Sequence, residues 1–226
     1  MADALLSQWY RDLPHFKTGD DPDLWAGRMH QALRSLRRKI RNRYSEGTLQ
    51  RLLTNPSAEV RRASVLALGL TGTISSNAAL AQALHDSDDL TAKTASDSLW
   101  EIWFRAGCDD ANIELQRILH LTNECDIMAG LDSIIKQWPD FAEPWNQRAI
   151  QWFERGEYKR SIADCKQALA YNPHHFAAQL GMAECYLKLR KYNAALRSFR
   201  NALDMNPTLE HVQGMIRVLE KAVEGG

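Results

Sequence analysis

Residues 165–173 read CKQALAYNP, and residues 199–207 read FRNALDMNP. A small residue, a leucine and an Asn-Pro pair return in the same register, with Pro139, Pro173 and Pro207 each 34 residues apart. Proline cannot continue a helix, because it has no N–H to donate and its ring clashes with the preceding turn. Each Asn-Pro therefore reads as a helix stop. A fixed period of this length means stacked supersecondary units, none of which can bury its apolar face alone.

Residues 142–175 divide into two helices. On the first, Trp145, Ala149 and Trp152 recur at i, i+4 and i+7 and share one face. Gly156 marks the turn. On the second, Tyr158, Ser161, Ile162, Cys165, Ala168 and Leu169 make another face, which ends at Asn172-Pro173. Ala149, Ser161 and Ala168 are small enough to let the helices approach closely. In period and residue type this unit resembles a tetratricopeptide repeat. The next, 176–209, repeats it with Ala183, Tyr186, Tyr192, Ala195, Phe199, Ala202 and Pro207. It departs at Gln179, where a large aromatic is usual in this family, and at Arg190, where a turn glycine is usual. A worn copy ends at Pro139, with its second helix in 126–139 and its first in 109–122. The tail 211–223 offers one apolar face, Val212, Met215, Ile216, Leu219 and Val223, and suits a capping helix.

The first half repeats differently. NPSAEVRRASVLALG at 55–69 aligns with DSDDLTAKTASDSLW at 86–100, pairing Asn55 with Asp86, Val60 with Thr91, Ser64 with Ala95 and Leu68 with Leu99, all 31 residues apart. Short helices precede each copy at 48–53 and 77–84, and a longer helix spans 88–105. This resembles the HEAT-like repeats of the bilin-lyase type. Asp21 and Pro22 open a further helix whose stripe is Leu24, Met29, Leu33, Leu36, Ile40 and Tyr44. The fold class expected is all-α with no β-sheet: a right-handed α-solenoid of antiparallel helix hairpins. The HEAT-like part with its cap helix covers 1–107, and about three tetratricopeptide units with a capping helix cover 108–226. Trp100, Trp103 and Phe104 are expected in the seam.

Composition narrows the function. Lys+Arg and Asp+Glu both total 28, so overall charge favours neither nucleic acid nor an anionic membrane. No apolar run approaches the roughly 18–20 residues of a membrane span. The N-terminus lacks a basic region followed by an apolar one, so no secretory signal is read there. Cys108, Cys125, Cys165 and Cys185 form no C-x-x-C, which suits reduced structural thiols in a cytoplasmic protein. No H-E-x-x-H, G-x-S-x-G or phosphate loop is present, and no enzyme activity, cofactor or metal site is expected. His174-His175 has no further ligand nearby in sequence. Bilin lyases are enzymes, but one and a half worn repeats do not carry that activity over.

The expected role is that of a protein-interaction scaffold. In tetratricopeptide repeats the first helix of each unit lines a concave surface. The resemblance places Asn146, Gln147, Ile150, Phe153, Leu180, Glu184, Leu187 and Lys188 on it, where they would hold a peptide or helix of a partner. Asn146 and Gln147 suit a peptide backbone, and the four apolar residues suit side chains. The apolar part also allows self-association. A subset of the family clamps chaperone C-termini with Lys, Asn and Arg; Gln147, Ala177 and Gly181 stand at matching positions, so the basic part is missing. The alternative role is nucleic-acid backbone binding through Arg34, Arg37, Arg38 and Arg41. Residues 24–62 carry ten arginines and lysines against two glutamates. No aromatic or amide cluster interleaves them to read bases.

Overall fold

A computed structural model describes the backbone of residues 2–224 and the side chains of 3–221. Among them are thirteen α-helices, one short 3-10 turn and no strand. Cα proximity divides the chain into two compact units, the first ending at Ile102 and the second beginning at Trp103.

The first unit contains α1 (Ala2–Arg11), α2 (Pro22–Arg43), α3 (Glu46–Leu52), α4 (Ala58–Thr71), the 3-10 turn Ile74–Ser76, α5 (Asn77–Ala83) and most of α6 (Asp89–Trp103). Pro22 sits in the first turn of α2, and the Asp21 carboxylate accepts from the N–H groups of Asp23 and Leu24, as the Asp-Pro signal required. α1 has no counterpart among the helices expected from sequence. α1 packs on α4, and its Leu6 is buried.

The 31-residue repeat is visible in three dimensions. Val60, Ser64 and Leu68 of α4 and Thr91, Ala95 and Leu99 of α6 are all buried. The Asn55 side chain accepts from the Ser57 N–H at 2.9 Å, and Asp86 accepts from the Asp88 N–H at 2.8 Å, the same turn made twice. Arg61 ties the two together. Its Nε and one Nη donate to both Asp86 oxygens at 2.7 Å, and its other Nη donates to the Asn55 carbonyl at 2.9 Å. Arg62 grips Asp88 in the same two-pronged manner. The later copy has Ala92 and Lys93 at these positions.

These arginines hold the carboxyls of Asp86 and Asp88 below the usual carboxylate range. A depressed folded-state value stabilises above the unfolded value, and the gain is lost as pH falls through the folded one. The first unit is therefore expected to weaken as pH drops below about 4. Asp86→Asn with Asp88→Asn should flatten that part of a pH series of urea midpoints, and an unchanged acid slope would refute the assignment.

The second unit contains α7 (Asp109–Leu119), α8 (Glu124–Gln137), α9 (Ala142–Glu154), α10 (Tyr158–Tyr171), α11 (Phe176–Lys188), α12 (Tyr192–Met205) and α13 (Glu210–Glu224). Successive helices pack pairwise from α7 to α13, and α9 also meets α11. The small positions Ala149, Ser161, Ala168, Ala183, Ala195 and Ala202 are buried, as the repeat required. The Asn-Pro stops share one backbone: Asn172 lies at φ −134, ψ 93 and Asn206 at φ −137, ψ 94. Each donates its N–H four residues back, and each side chain accepts from the N–H two residues on. α13 caps the unit through Val212, Ile216 and Leu219. Val223 lies outside the residues whose side chains are described.

Both departures from the repeat have structural answers. Gln179 is buried, and its amide donates to the Ser198 carbonyl at 3.3 Å. Arg190 adopts φ +57 at the turn where Gly156 has φ +74. A side chain in that left-handed region is strained by roughly 1–2 kcal/mol. Arg190→Gly should relieve this and stabilise the fold by about 0.5–1 kcal/mol, part of the gain being offset by unfolded-chain entropy. A lowered urea midpoint would contradict it.

Candidate functional site

The first helices of the two complete repeats, α9 and α11, carry the eight residues proposed from sequence, and the structure separates these into two groups. The first group turns inward. Glu143 and Asn146 are buried, at 1% and 3% exposure. One Glu143 oxygen accepts from the Asn146 amide at 3.2 Å and the Gln147 amide at 2.6 Å, and the other lies 2.9 Å from His175 Nε2. His175 Nδ1 accepts the Ala178 N–H at the start of α11, so the His175 proton sits on Nε2 and is donated to Glu143. The Trp103 ring stacks on the imidazole at 4.2 Å. Asn146 thus belongs to the interior, whereas the resemblance to tetratricopeptide repeats implies a place on the lining surface, and Gln147 helps to anchor a buried carboxylate.

The second group faces outward. Ile150 is 43% exposed on α9, with half-buried Phe153 one turn further. On α11, Leu180 and Leu187 are half-buried against the cluster of Ala183, Phe199 and Val212, while Lys188 is exposed. Glu184 stands between them. Burial pushes its carboxyl up, and His211 and Lys188 draw it partly back. An apolar strip with a carboxylate and an amine beside it is suited to holding a peptide: apolar contacts supply affinity and the charges supply orientation.

His175 and Cys165 are occupied structurally. Both ring nitrogens of His175 are committed, so it offers no lone pair to a metal. No cluster of three metal-ligating side chains occurs among the described residues. Burial pushes the Cys165 thiol up to about 12, with neighbouring Cys185 adding to it, which leaves a poor nucleophile. Among the described residues no helix is long and apolar enough to cross a membrane.

In the first unit Arg34, Arg37, Arg38 and Arg41 are exposed on α2, and none has a hydrogen-bond or ion-pair partner among the described residues. Arg34 and Arg37 line a groove of about 390 Å³ between α2, α4 and α6. No sequence pattern marks this groove, because it depends on where three separate helices diverge.

Residues 153–219 match the family model of the tetratricopeptide repeat, and residues 24–100 match that of HEAT repeats. Among the described residues the chain is all-α, with a segment similar to HEAT repeats followed by one similar to tetratricopeptide repeats. It is 33% identical over 95 residues to a tetratricopeptide repeat-containing protein of Rhizobium etli, covering 42% of this chain and 47% of that one. Protein SGT1 homolog of Bos taurus is 30% identical over 105 residues, covering 45% of this chain and 31% of its own length. The chain thus spans under half the length of each. Among solved structures, the first tetratricopeptide domain of Spaghetti (RPAP3), bound to an HSP90 peptide, aligns at 16% identity and a TM-score of 0.43, covering 51% of this chain and 89% of that chain.

Proposed function

We propose that the protein is a non-enzymatic interaction scaffold that holds a peptide or helix of a partner protein against the α9 and α11 face. The observation that carries this reading is the apolar strip of Ile150, Phe153, Leu180 and Leu187, left partly open beside Glu184 and Lys188. Asn146 and Gln147 act from behind, through Glu143. Affinities of roughly 1–100 μM suit a surface of this kind. Phe153→Ala with Leu187→Ala should weaken partner capture by at least roughly tenfold while helical content by circular dichroism stays unchanged. Undiminished capture would remove the assignment. Self-association through the same strip would appear in light scattering as a mass that falls in the double variant.

The exposure of Arg34, Arg37, Arg38 and Arg41 supports a second reading, in which phosphate backbone binds α2. Asp97 and Glu101 line the same groove as Arg34 and Arg37 and would repel phosphate. Gel-shift titration of a DNA duplex at two salt concentrations separates the readings, since several phosphate contacts give a steep salt slope.

A further inference from the structure

The groove between α2, α4 and α6 is lined by residues of the first unit only and shares none with the α9 and α11 face. Its origin is geometric. α4 and α6 touch at Gly69, where a Cβ would lie 2.5 Å from Ser98 Oγ. α2 closes only at its far end: Leu36 and Ile40 are buried, Leu33 and Met29 half-buried, and Leu24 69% exposed. The opening that results has a floor of Leu33, Leu66 and Leu70, all half-buried.

Arg34 and Arg37 on one wall and Asp97 on the other carry opposite charges that do not meet across the groove, which Glu101 also lines. Arg34 and Arg37 line the α2 side and Asp97 the α6 side, and none of the three has a hydrogen-bond or ion-pair partner among the described residues. Elsewhere in this unit several opposite charges are joined, as in Arg61 with Asp86, Arg62 with Asp88 and Arg11 with Glu59. The groove holds its two signs apart across an apolar floor. Desolvation already pushes the Asp97 carboxyl up, so a cation placed beside it would gain more than on open surface.

We propose that this groove is a second docking site, for a helical segment of a partner protein that presents an apolar side chain flanked by an acidic one and a basic one. The apolar residue covers Leu33, Leu66 and Leu70; the acid meets Arg34 and Arg37; the base meets Asp97. Residues three and four apart share a helix face, so one peptide helix supplies all three. A ligand of one sign gains on one wall and loses on the other, which disfavours nucleic acid and purely acidic peptides.

The test uses a phage-displayed library of helical peptides selected against the full chain, with affinities read by fluorescence polarisation. Arg34→Glu with Arg37→Glu, and Asp97→Lys separately, alter exposed side chains, and circular dichroism melting checks that each variant folds. Selected peptides are expected to carry the acid, apolar, base pattern and to lose affinity at least roughly tenfold in each variant. The triple reversal should bind peptides with the two charges exchanged, while Phe153→Ala with Leu187→Ala leaves binding unchanged. The proposal is overturned if no selected peptide depends on Arg34, Arg37 or Asp97, if the groove-dependent peptides are purely acidic, or if single-stranded DNA displaces them.

Discussion

His175→Ala is expected to destabilise the second unit by about 4 kcal/mol. Three losses combine. The start of α11 loses the ring nitrogen that caps the Ala178 N–H, an interaction of about 1 kcal/mol. Glu143, 1% exposed, loses a donor to one carboxyl oxygen, which is left buried without that partner. A void opens against the fully buried Trp103, which stacked on the ring. Glu143→Gln discriminates the polar from the packing part. Its amide leaves volume unchanged, but with the oxygen kept toward Asn146 and Gln147, its NH₂ faces the His175 Nε2–H. Moving that proton to Nδ1 would only set it against the Ala178 N–H. One buried donor–donor contact remains in either arrangement, worth about 1–3 kcal/mol. Urea unfolding followed by tryptophan fluorescence measures both variants. If Glu143→Gln is neutral, the network is packing with incidental polarity.

Arg148→Ala should be the next largest loss, about 3 kcal/mol. Its guanidinium donates to both oxygens of Asp164 at 2.7 and 2.8 Å and to Asp132 at 2.7 Å, and it lies 5.0 Å over the Trp145 ring. One side chain on α9 thereby joins α8 and α10. The Asp164 side chain is 8% exposed, so truncation strands a nearly buried carboxylate, whereas the Asp132 side chain is 58% exposed and its share is small. Arg148→Lys retains the charge but not the two-pronged geometry and should recover only part of the loss. Equal midpoints for the lysine and alanine variants would show that the planar fork, not the charge, holds the pair.

Helix boundaries were the most legible part of this chain. The Asn-Pro stops, the Asp21-Pro22 start and the Gly156 turn act through local backbone chemistry, which a few residues determine. The 34- and 31-residue spacings are equally plain, since small or apolar positions recur buried at each interval: Ala149 with Ala183, Ser161 with Ala195 and Ala168 with Ala202 in the second half, and Val60 with Thr91, Ser64 with Ala95 and Leu68 with Leu99 in the first. The helix nearest the first residue is less legible. α1 was not read as a helix, because a ten-residue amphipathic stretch at a chain end gives little periodicity to separate it from a loop. The compact units divide between Ile102 and Trp103, and Trp103 packs against His175 and Phe176.

The candidate sites were only half legible. Ile150, Phe153, Leu180, Glu184, Leu187 and Lys188 were named from repeat position, and all retain some exposure. Asn146 was named on the same ground and is buried, because His175, 29 residues further on, brings Glu143 and its amides inward. Repeat position states which way a helix face points but not what another segment lays over it.

By itself the sequence determined that this protein is built of helical hairpins in two kinds of repeat, since caps, stops and apolar period are properties of neighbouring residues. Only the tertiary structure decided which polar side chains are interior and which charges stay unpaired. Both depend on distances between helices far apart in the chain: 2.9 Å from His175 to Glu143, and an unbridged groove between Arg34 and Asp97. No local pattern encodes such distances, because they are set by how whole helices settle against one another.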